Sequence, residues 1–433
     1  MRSYYRKQSW AVLPIYAYDA KNEPYLLSWN GGAAGYSEVS DSREDEDYFS
    51  TNIYSDYTKS LGNHNFKVMA GFNAELYRPS GLNGFGTDLI SADVPSLGLT
   101  QDNKKASSWA RERAIAGFFG RINYNYADRY MLEANLRYDG SSRFIGDQRW
   151  GLFPSFSAGW NIAREAFFEP LNSVVGTLKV RASWGQLGNN NTDSTDAWYP
   201  FYQNMPTGTA SSSWLINGTQ QNVAGLPGIV SSLMTWETIE SWNVGFDFGF
   251  LKDRITGSFD YYTRKTEDLI ATVPAAAGTT FDRNITTNVG NVDSQGIEFS
   301  LNATPIQTND WNWDLSFNMT WQKMKVKNLS LAAGAAATNT SVGPYIDSYQ
   351  VQTLSEGYAP YMFYVYHQLY DEKTGKPVEG AYVDLNGDGE INTEDLYRYH
   401  SPAPDYILGF STSLRWKKWT LSTSLRANIG NYV

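Results

Sequence analysis

Alternation of apolar and polar residues, repeated from end to end, constrains this chain more than any other feature. A period of two puts successive side chains on opposite faces of a strand, so each alternating run describes a ribbon with two different environments. In YMLEANLRYDG, Tyr130, Leu132, Ala134, Leu136 and Tyr138 share one face, and Met131, Glu133, Asn135, Arg137 and Asp139 share the other. The run before it, FGRINYNYADR, alternates likewise, and the brief ADR between them predicts a hairpin. SWNVGFDFGF with LKDR and ITGSFDYYT repeats the design. So do GIEFSLNA with WNWDLSFNMTW, and the two runs of DYILGFSTSLRWKKWTLSTSLRANIG, which turn at Lys417 and Lys418.

The predicted connections alternate in length. Short turns at 127–129, 251–254, 305–310 and 417–418 interleave with long Gly/Ser/Asn-rich stretches near 79–112, 188–236, 268–290 and 326–350. Nothing in a soluble sandwich imposes that alternation, whereas an outer-membrane barrel has short turns on one side and long loops on the other. Tyr124, Tyr126, Tyr130, Trp311, Trp416 and Trp419 stand at strand ends, where an interfacial aromatic girdle sits. The second faces are mostly Asn, Ser, Thr and Gly, which suits a wet, crowded lumen better than the charge-rich solvent face of a sandwich. The expected fold is therefore all-β, an antiparallel transmembrane β-barrel. AREAFFEPL at 163–171 reads as a short amphipathic cap at a turn, with Phe167 and Phe168 as packing residues.

Composition agrees. Aromatic residues make up 15% of the 433 positions and charged residues only 18%, below the roughly 25% of a soluble domain. Mean hydropathy is −0.45, and no run of about 18 apolar residues is available for a transmembrane helix. Barrel strands escape that test because only every second residue meets lipid. There are no cysteines, which excludes disulfides and thiolate metal sites. A net charge of −10 with no basic block argues against nucleic-acid binding. MRSYYRKQSW is basic but is followed by no apolar signal-peptide core.

One segment suggests a ligand. In DLNGDGEINTED, residues 384–395, Asp384, Asn386 and Asp388 supply oxygens at loop positions 1, 3 and 5, Gly389 permits the turn at 6, and Glu390 offers a carbonyl at 7. Asn392 stands at 9 and Asp395 at 12, an Asp where an EF-hand has a bidentate Glu, so weak Ca²⁺ binding is expected. An Asx-rich turn without an ion is the alternative. No comparable catalytic constellation exists. His64, His367 and His400 are far apart in sequence, and Glu44–Asp47 in REDEDY read as a solvated acidic loop or turn. Trp198, Tyr199, Tyr202 and Trp214 fall in a long connection and suit stacking on sugar rings or peptide side chains, or packing of loop on loop.

LRYDGSSRFIGDQRWGLFPSFSAGWNIAREAFF followed by LKVRASWGQLGNNN resembles the signature block of the SusC/RagA-type TonB-dependent outer-membrane transporters of Bacteroidetes-like bacteria. TWETIESWNVGFDFGFLKDRITGSFDYYTRKTEDLI, NVGNVDSQGIEFSL, YVDLNGDGEINTEDL and PDYILGFSTSLRWKKWTLS follow in the family's order. The resemblance implies a barrel of about 22 strands, closed by an N-terminal plug and energised by TonB–ExbB–ExbD through a TonB box. A SusD-like surface lipoprotein would deliver oligosaccharides or, second, peptides. It places the DLNGDG loop in the barrel's connecting regions. Plug, TonB box and signal peptide are missing before Met1, and RANIGNYV stops where family members continue. On that reading residues 1–433 are one partial barrel domain of roughly 12 to 14 strands that neither inserts nor transports alone.

The expected function is TonB-dependent nutrient import across the outer membrane, with no enzymatic step and Ca²⁺ as a structural fastener. The alternative is a secreted soluble β-protein that binds carbohydrate through exposed aromatics and is stabilised by calcium. Strand parity puts the calcium-like loop outside if 326–404 holds no span, a count that YMFYVYHQLY at 361–370 leaves open because it is long enough to cross.

Overall fold

A computed structural model describes residues 2–432 except 13–15, 19–20, 22, 27–36, 92, 192–197, 204, 206, 210–214, 217–218, 221, 226–229, 232, 275–283, 330–339 and 347–348. Fourteen strands form one sheet. They are β1 (Arg2–Val12), β2 (Glu38–Leu61), β3 (His64–Leu89), β4 (Thr100–Ala110), β5 (Arg113–Tyr126), β6 (Tyr130–Ser141) and β7 (Trp150–Asn161). Then come β8 (Val175–Asn189), β9 (Glu237–Phe250), β10 (Ile255–Glu267), β11 (Gly290–Gln307), β12 (Trp311–Leu329), β13 (Tyr406–Trp416) and β14 (Trp419–Ile429). Each pairs with its neighbour in sequence, except that β5 pairs with β3 and β4 lies against β3 off the main path. No helix among the described residues is long and apolar enough to cross a membrane.

Register makes the alternation two-dimensional. Trp160, Val180, Phe246, Phe259, Phe299, Met319, Leu408 and Ala427 stand opposite one another in turn across β7 to β14. One residue along, Asn161, Lys179, Asp247, Ser258, Ser300, Asn318, Gly409 and Arg426 form a parallel polar row across the same eight strands. Trp160, Val180 and Phe246 of the apolar row are exposed, and the apolar face they belong to is largely uncovered. On that face Trp242 is 53% exposed and Val244 51%, whereas the buried apolar cluster among the described residues comprises Phe144, Phe153, Met234, Trp236 and Ile270. A 433-residue chain that folded around water-excluded apolar side chains would hold a far larger core. This chain presents its apolar side chains outward.

The chain divides into two compact units. The first comprises residues 1–53, 71–118 and 139–143; in it Val39 is buried, Ser37 Oγ accepts a hydrogen bond from Leu89 N at 2.7 Å, and Phe72 packs against Phe118 with ring centroids 5.1 Å apart. The second comprises 54–70, 119–138 and 144–433 and contains the two cross-strand rows.

The short turns fall where the sequence predicts them: 127–129, 251–254 and 417–418, with 308–310 completing the 305–310 turn as β11 runs on to Gln307. All lie at one end of the strands, since they join successive antiparallel pairs in the same sense. Three expectations need correction. Residues 79–112 are not a long loop, because β3 continues to Leu89 and β4 folds back on it from Thr100. Glu44–Asp47 are not a loop either; they lie in β2, opposite Arg6 through Ser3 of β1, where the ladder to β1 pairs their backbone groups whatever their side chains. AREAFFEPL forms 3₁₀ turns, Ile162–Arg164 and Ala166–Leu171, separated at Glu165; Phe168 is buried but Phe167 is exposed.

Between β12 and β13, Met362–Tyr366 joins a small four-stranded sheet with Thr340–Ile346, Tyr349–Leu354 and Leu396–Arg398, and Gln368–Tyr370 pairs with Pro377–Tyr382. YMFYVYHQLY therefore adds no strand to the large sheet. The calcium-like loop lies at the end of β12 and β13 opposite the 308–310 and 417–418 turns.

Candidate functional site

The polar face is knitted together by side chains reaching across strands. Arg181 on β8 donates from Nη1 and Nη2 to the two oxygens of Asp260 on β10, each at 2.6 Å, and from Nε to Asp247 on β9 at 3.2 Å. Register allows this, since Arg181 faces Gly245 and Gly245 faces Asp260. A Cβ at position 245 would collide with the Asp260 carboxylate and the Phe259 carbonyl, so glycine leaves the guanidinium a clear path over β9. The planar fork of Arg matches a carboxylate.

Similar bridges recur. Asn123 donates to Glu133, and Asn135 donates to Glu133 at 2.8 Å and to Ser155 at 3.2 Å. Ser258 and Ser300 hydroxyls are 2.8 Å apart, Ser316 donates to Asn302 at 2.7 Å, and Thr304 to Asp314 at 2.8 Å. A cleft of about 470 Å³ is cut into this face, bordered by Asn123, Asn125, Glu133, Lys179, Arg181 and Asn243. Its donors and acceptors match hydroxyl-rich or amide-rich solutes and offer no aligned nucleophile and base.

At the short-turn end the aromatics are held by an acid that sequence reading missed. Glu165 accepts from Tyr130 Oη at 2.7 Å and from Trp160 Nε1 at 2.9 Å, with Arg129 Nη1 3.6 Å from its second oxygen. The Tyr130 and Trp160 bonds hold its carboxyl below the usual Glu range. Tyr130 lies between Tyr126 and Trp160, with centroids 6.3 and 6.5 Å away, and Trp311 stacks on Trp416 at 5.6 Å. The available signal was an acid in the turn following a strand that ends in Trp, with a Tyr at the start of the strand before it. His64 Nδ1 is 2.9 Å from Tyr124 Oη, His367 packs on Tyr397 and His400 stacks on Tyr432, so each histidine has an aromatic neighbour and none adjoins another.

At the opposite end the DLNGDGEINTED residues fold together. Asp384 accepts from Gly387 N at 2.6 Å and Gly389 N at 2.8 Å, Asn386 Oδ1 from Asp388 N at 3.0 Å, and Asp388 Oδ1 from Glu390 N at 2.8 Å. Gly387 and Gly389 have φ of +77° and +87°, which explains glycine at both. Asp395 is buried and accepts from Asn392 N at 2.9 Å, Leu385 N at 2.7 Å and Asn386 N at 3.4 Å. These backbone bonds, that of Asn392 foremost, hold its carboxyl below the usual Asp range. Asn392 completes a capping box with Asp395. An oxygen that accepts one N–H keeps a second lone pair, so Asp384, Asn386 and Asp388 retain the hard donors Ca²⁺ takes, while Asp395 acts as the loop's clasp. The side chain of Glu390 is exposed. Among the described residues, no three His, Asp or Glu side chains are gathered closely enough to hold a metal ion.

Of the loop aromatics, Tyr199 and Tyr202 have centroids 6.1 Å apart, and Phe201 is 4.6 Å from Tyr202, which is exposed. Trp214 lies outside the described residues.

The model of the TonB dependent receptor-like, beta-barrel family matches residues 3–431. The chain belongs to this family. It is 36% identical over 411 residues to the TonB-dependent receptor SusC of Bacteroides thetaiotaomicron, covering 94% of this chain and 39% of that protein. To the TonB-dependent receptor P3 of Formosa agariphila it is 30% identical over 396 residues, 88% of this chain and 38% of that protein. The chain thus spans about two fifths of the length of these curated relatives. Among solved structures it superposes on a chain of the RagAB peptide transporter with a TM-score of 0.79, covering 99% of this chain and 45% of that one at 21% identity, a likeness of fold. As an outer-membrane barrel of this family, the chain turns its apolar row to lipid and its hydrogen-bonded row away from it.

Proposed function

We propose that this chain forms barrel wall in a TonB-dependent importer of oligosaccharides, its polar face bordering the path the solute takes. The observation that carries the reading is the bridged polar row one residue from an unbridged apolar row, an arrangement that separates water from lipid. Peptides are the second substrate class. The identity to SusC, 36%, exceeds the 21% to the RagAB peptide transporter's chain, and the exposed Tyr199–Tyr202 pair suits the apolar faces of sugar rings. A SusD-like lipoprotein at the long-connection end and the TonB–ExbB–ExbD complex on the other side are the proposed partners. Deleting the gene in the organism that makes the protein should abolish growth on one oligosaccharide class while growth on its monosaccharides persists. Loss of growth on peptides alone would transfer the reading to peptide import. Stable folding without detergent would favour the secreted carbohydrate-binding alternative.

On this reading the long-connection end faces outside the cell, where calcium is abundant enough for a weak site. Asp384, Asn386 and Asp388, with the Glu390 carbonyl and Asn392, would hold a Ca²⁺ ion that stiffens the loop and takes no part in chemistry. Calcium should slow proteolysis within 384–395, and Asp384→Ala or Asp388→Ala should remove that protection while transport persists. Identical cleavage with calcium and with EDTA would leave an Asx turn.

A further inference from the structure

The outward face changes character just beyond the apolar band. On β12, Trp313, Leu315, Phe317, Met319 and Trp321 alternate along one face, and Lys323, Lys325 and Lys327 continue the same face, all three exposed. Neighbouring strands are also charged at this level: Glu240 stands opposite Lys265, Lys265 opposite Asp293, and Asp293 opposite Lys325. Lys327 Nζ is 3.2 Å from Asp293, which leaves Lys323 and Lys325 as the cations in excess of this alternating series.

Both lysines border a cleft formed by a break in the sheet. β13 pairs with β12 only as far as Tyr406 opposite Trp321. Beyond it, Gln322 N donates to Asp405 O at 3.1 Å, and Val326 N donates to Tyr358 O at 2.8 Å. Between these two anchors a cleft of about 360 Å³ remains, lined by Lys323, Lys325, Tyr358, His400, Ser401 and Asp405 among others. Asp405 is the one acid in that lining, against two lysines, the hydroxyls of Tyr358 and Ser401 and an imidazole. Trp321 and Tyr406, at the upper limit of the apolar band, lie immediately below it.

We propose that this cleft binds the phosphate-monoester headgroup of an outer-leaflet lipid, Lys323 and Lys325 pairing with the phosphate while the acyl chains run down the Trp321–Met319 and Tyr406–Leu408 face. The proposal rests on the membrane orientation given above. Charge selects an anion, the hydroxyl of Ser401 and the imidazole of His400 supply further hydrogen-bonding groups, and the adjoining apolar band selects a lipid over a soluble anion. Lysine near an anionic lipid surface supplies strong, salt-sensitive attraction.

The test uses the protein purified in detergent from the membrane in which it is made, titrated with short-chain phosphatidic acid, short-chain phosphatidylcholine and inorganic phosphate. Phosphatidic acid should bind most tightly and weaken with rising salt. The K323Q/K325Q variant should lose roughly thirty-fold in that affinity, the equivalent of about 1 kcal/mol per lysine. K323R/K325R should restore it, and K417Q/K418Q, at the opposite end of the strands, should bind as the parent does. Equal binding of the two lipids, inorganic phosphate binding as tightly as phosphatidic acid, or full affinity in K323Q/K325Q overturns the proposal. Protein that folds without detergent instead overturns the membrane orientation, so the two failures are distinct.

Discussion

Two surfaces one residue apart on the same strands are stabilised by opposite means. Along Trp160, Val180, Phe246, Phe259 and Phe299, contact is between rings and branched side chains, with Phe246 and Phe259 centroids 5.6 Å apart. Along the polar rows, Arg181, Asp247 and Asp260 or Ser258 and Ser300 satisfy one another directly. A water-soluble sheet buries its first kind of surface and solvates its second. Here lipid replaces the missing apolar partner, and the polar side must satisfy itself because neighbouring strands hold its groups close together and partly out of water. The difference teaches that exposure in this chain marks the membrane side.

Phe246→Arg strikes that contrast hardest. It places a charge where the apolar band meets lipid and should cost about 4 kcal/mol, combining the arginine penalty of the bilayer interior with the loss of the ring; an unfolding titration in bilayers measures it, and a change within error would mean that this row does not face lipid. Arg181→Ala attacks the polar side and should cost about 2 kcal/mol, less than a fully buried pair because the guanidinium is one-third exposed, while adding Asp260→Asn should recover part of the loss. Gly245→Ala should cost about 1 to 2 kcal/mol through overpacking against the Phe259 carbonyl and Asp260, read in the same titration.

Glu165→Gln should produce the smallest effect and a different signature. Because the folded carboxyl is held below its usual range, its contribution is present above the unfolded Glu pKa and is lost as pH falls through the folded value. The parent's thermal stability should therefore decline with acidification more steeply than that of Glu165→Gln in the acid range. Superimposable pH profiles would deny Glu165 its role in fixing Tyr130 and Trp160.

Strand identity, face and short-turn position were legible because a two-residue period leaves a mark in every ribbon, as in Tyr130–Tyr138 and Trp242–Phe250. The extension of β3 through 79–89 was not, since Gly81, Gly84 and Gly86 there imitate a loop; each lies where a Cβ would meet Trp109, Leu97 or Thr100. Glu44–Asp47 misled for a related reason, as backbone pairing with Arg6 through Ser3 holds them in a strand although four acids in a row suggest a turn in isolation. The calcium-like residues fold together as one loop, and spacing alone did not reveal Asp395 as its buried clasp. Bridges such as Arg181–Asp260 join residues 79 positions apart and emerge only once register is known.

The register from Trp160 to Ala427 also gives the membrane an editorial role during assembly. Sliding any one strand by a single residue would exchange its two faces, presenting Lys179, Asp247 or Arg426 to hydrocarbon and withdrawing Val180, Phe246 or Ala427 from it. Such an error carries a penalty at every position of the slipped strand at once, so the bilayer rejects wrong alignments that hydrogen bonding between backbones would accept with indifference.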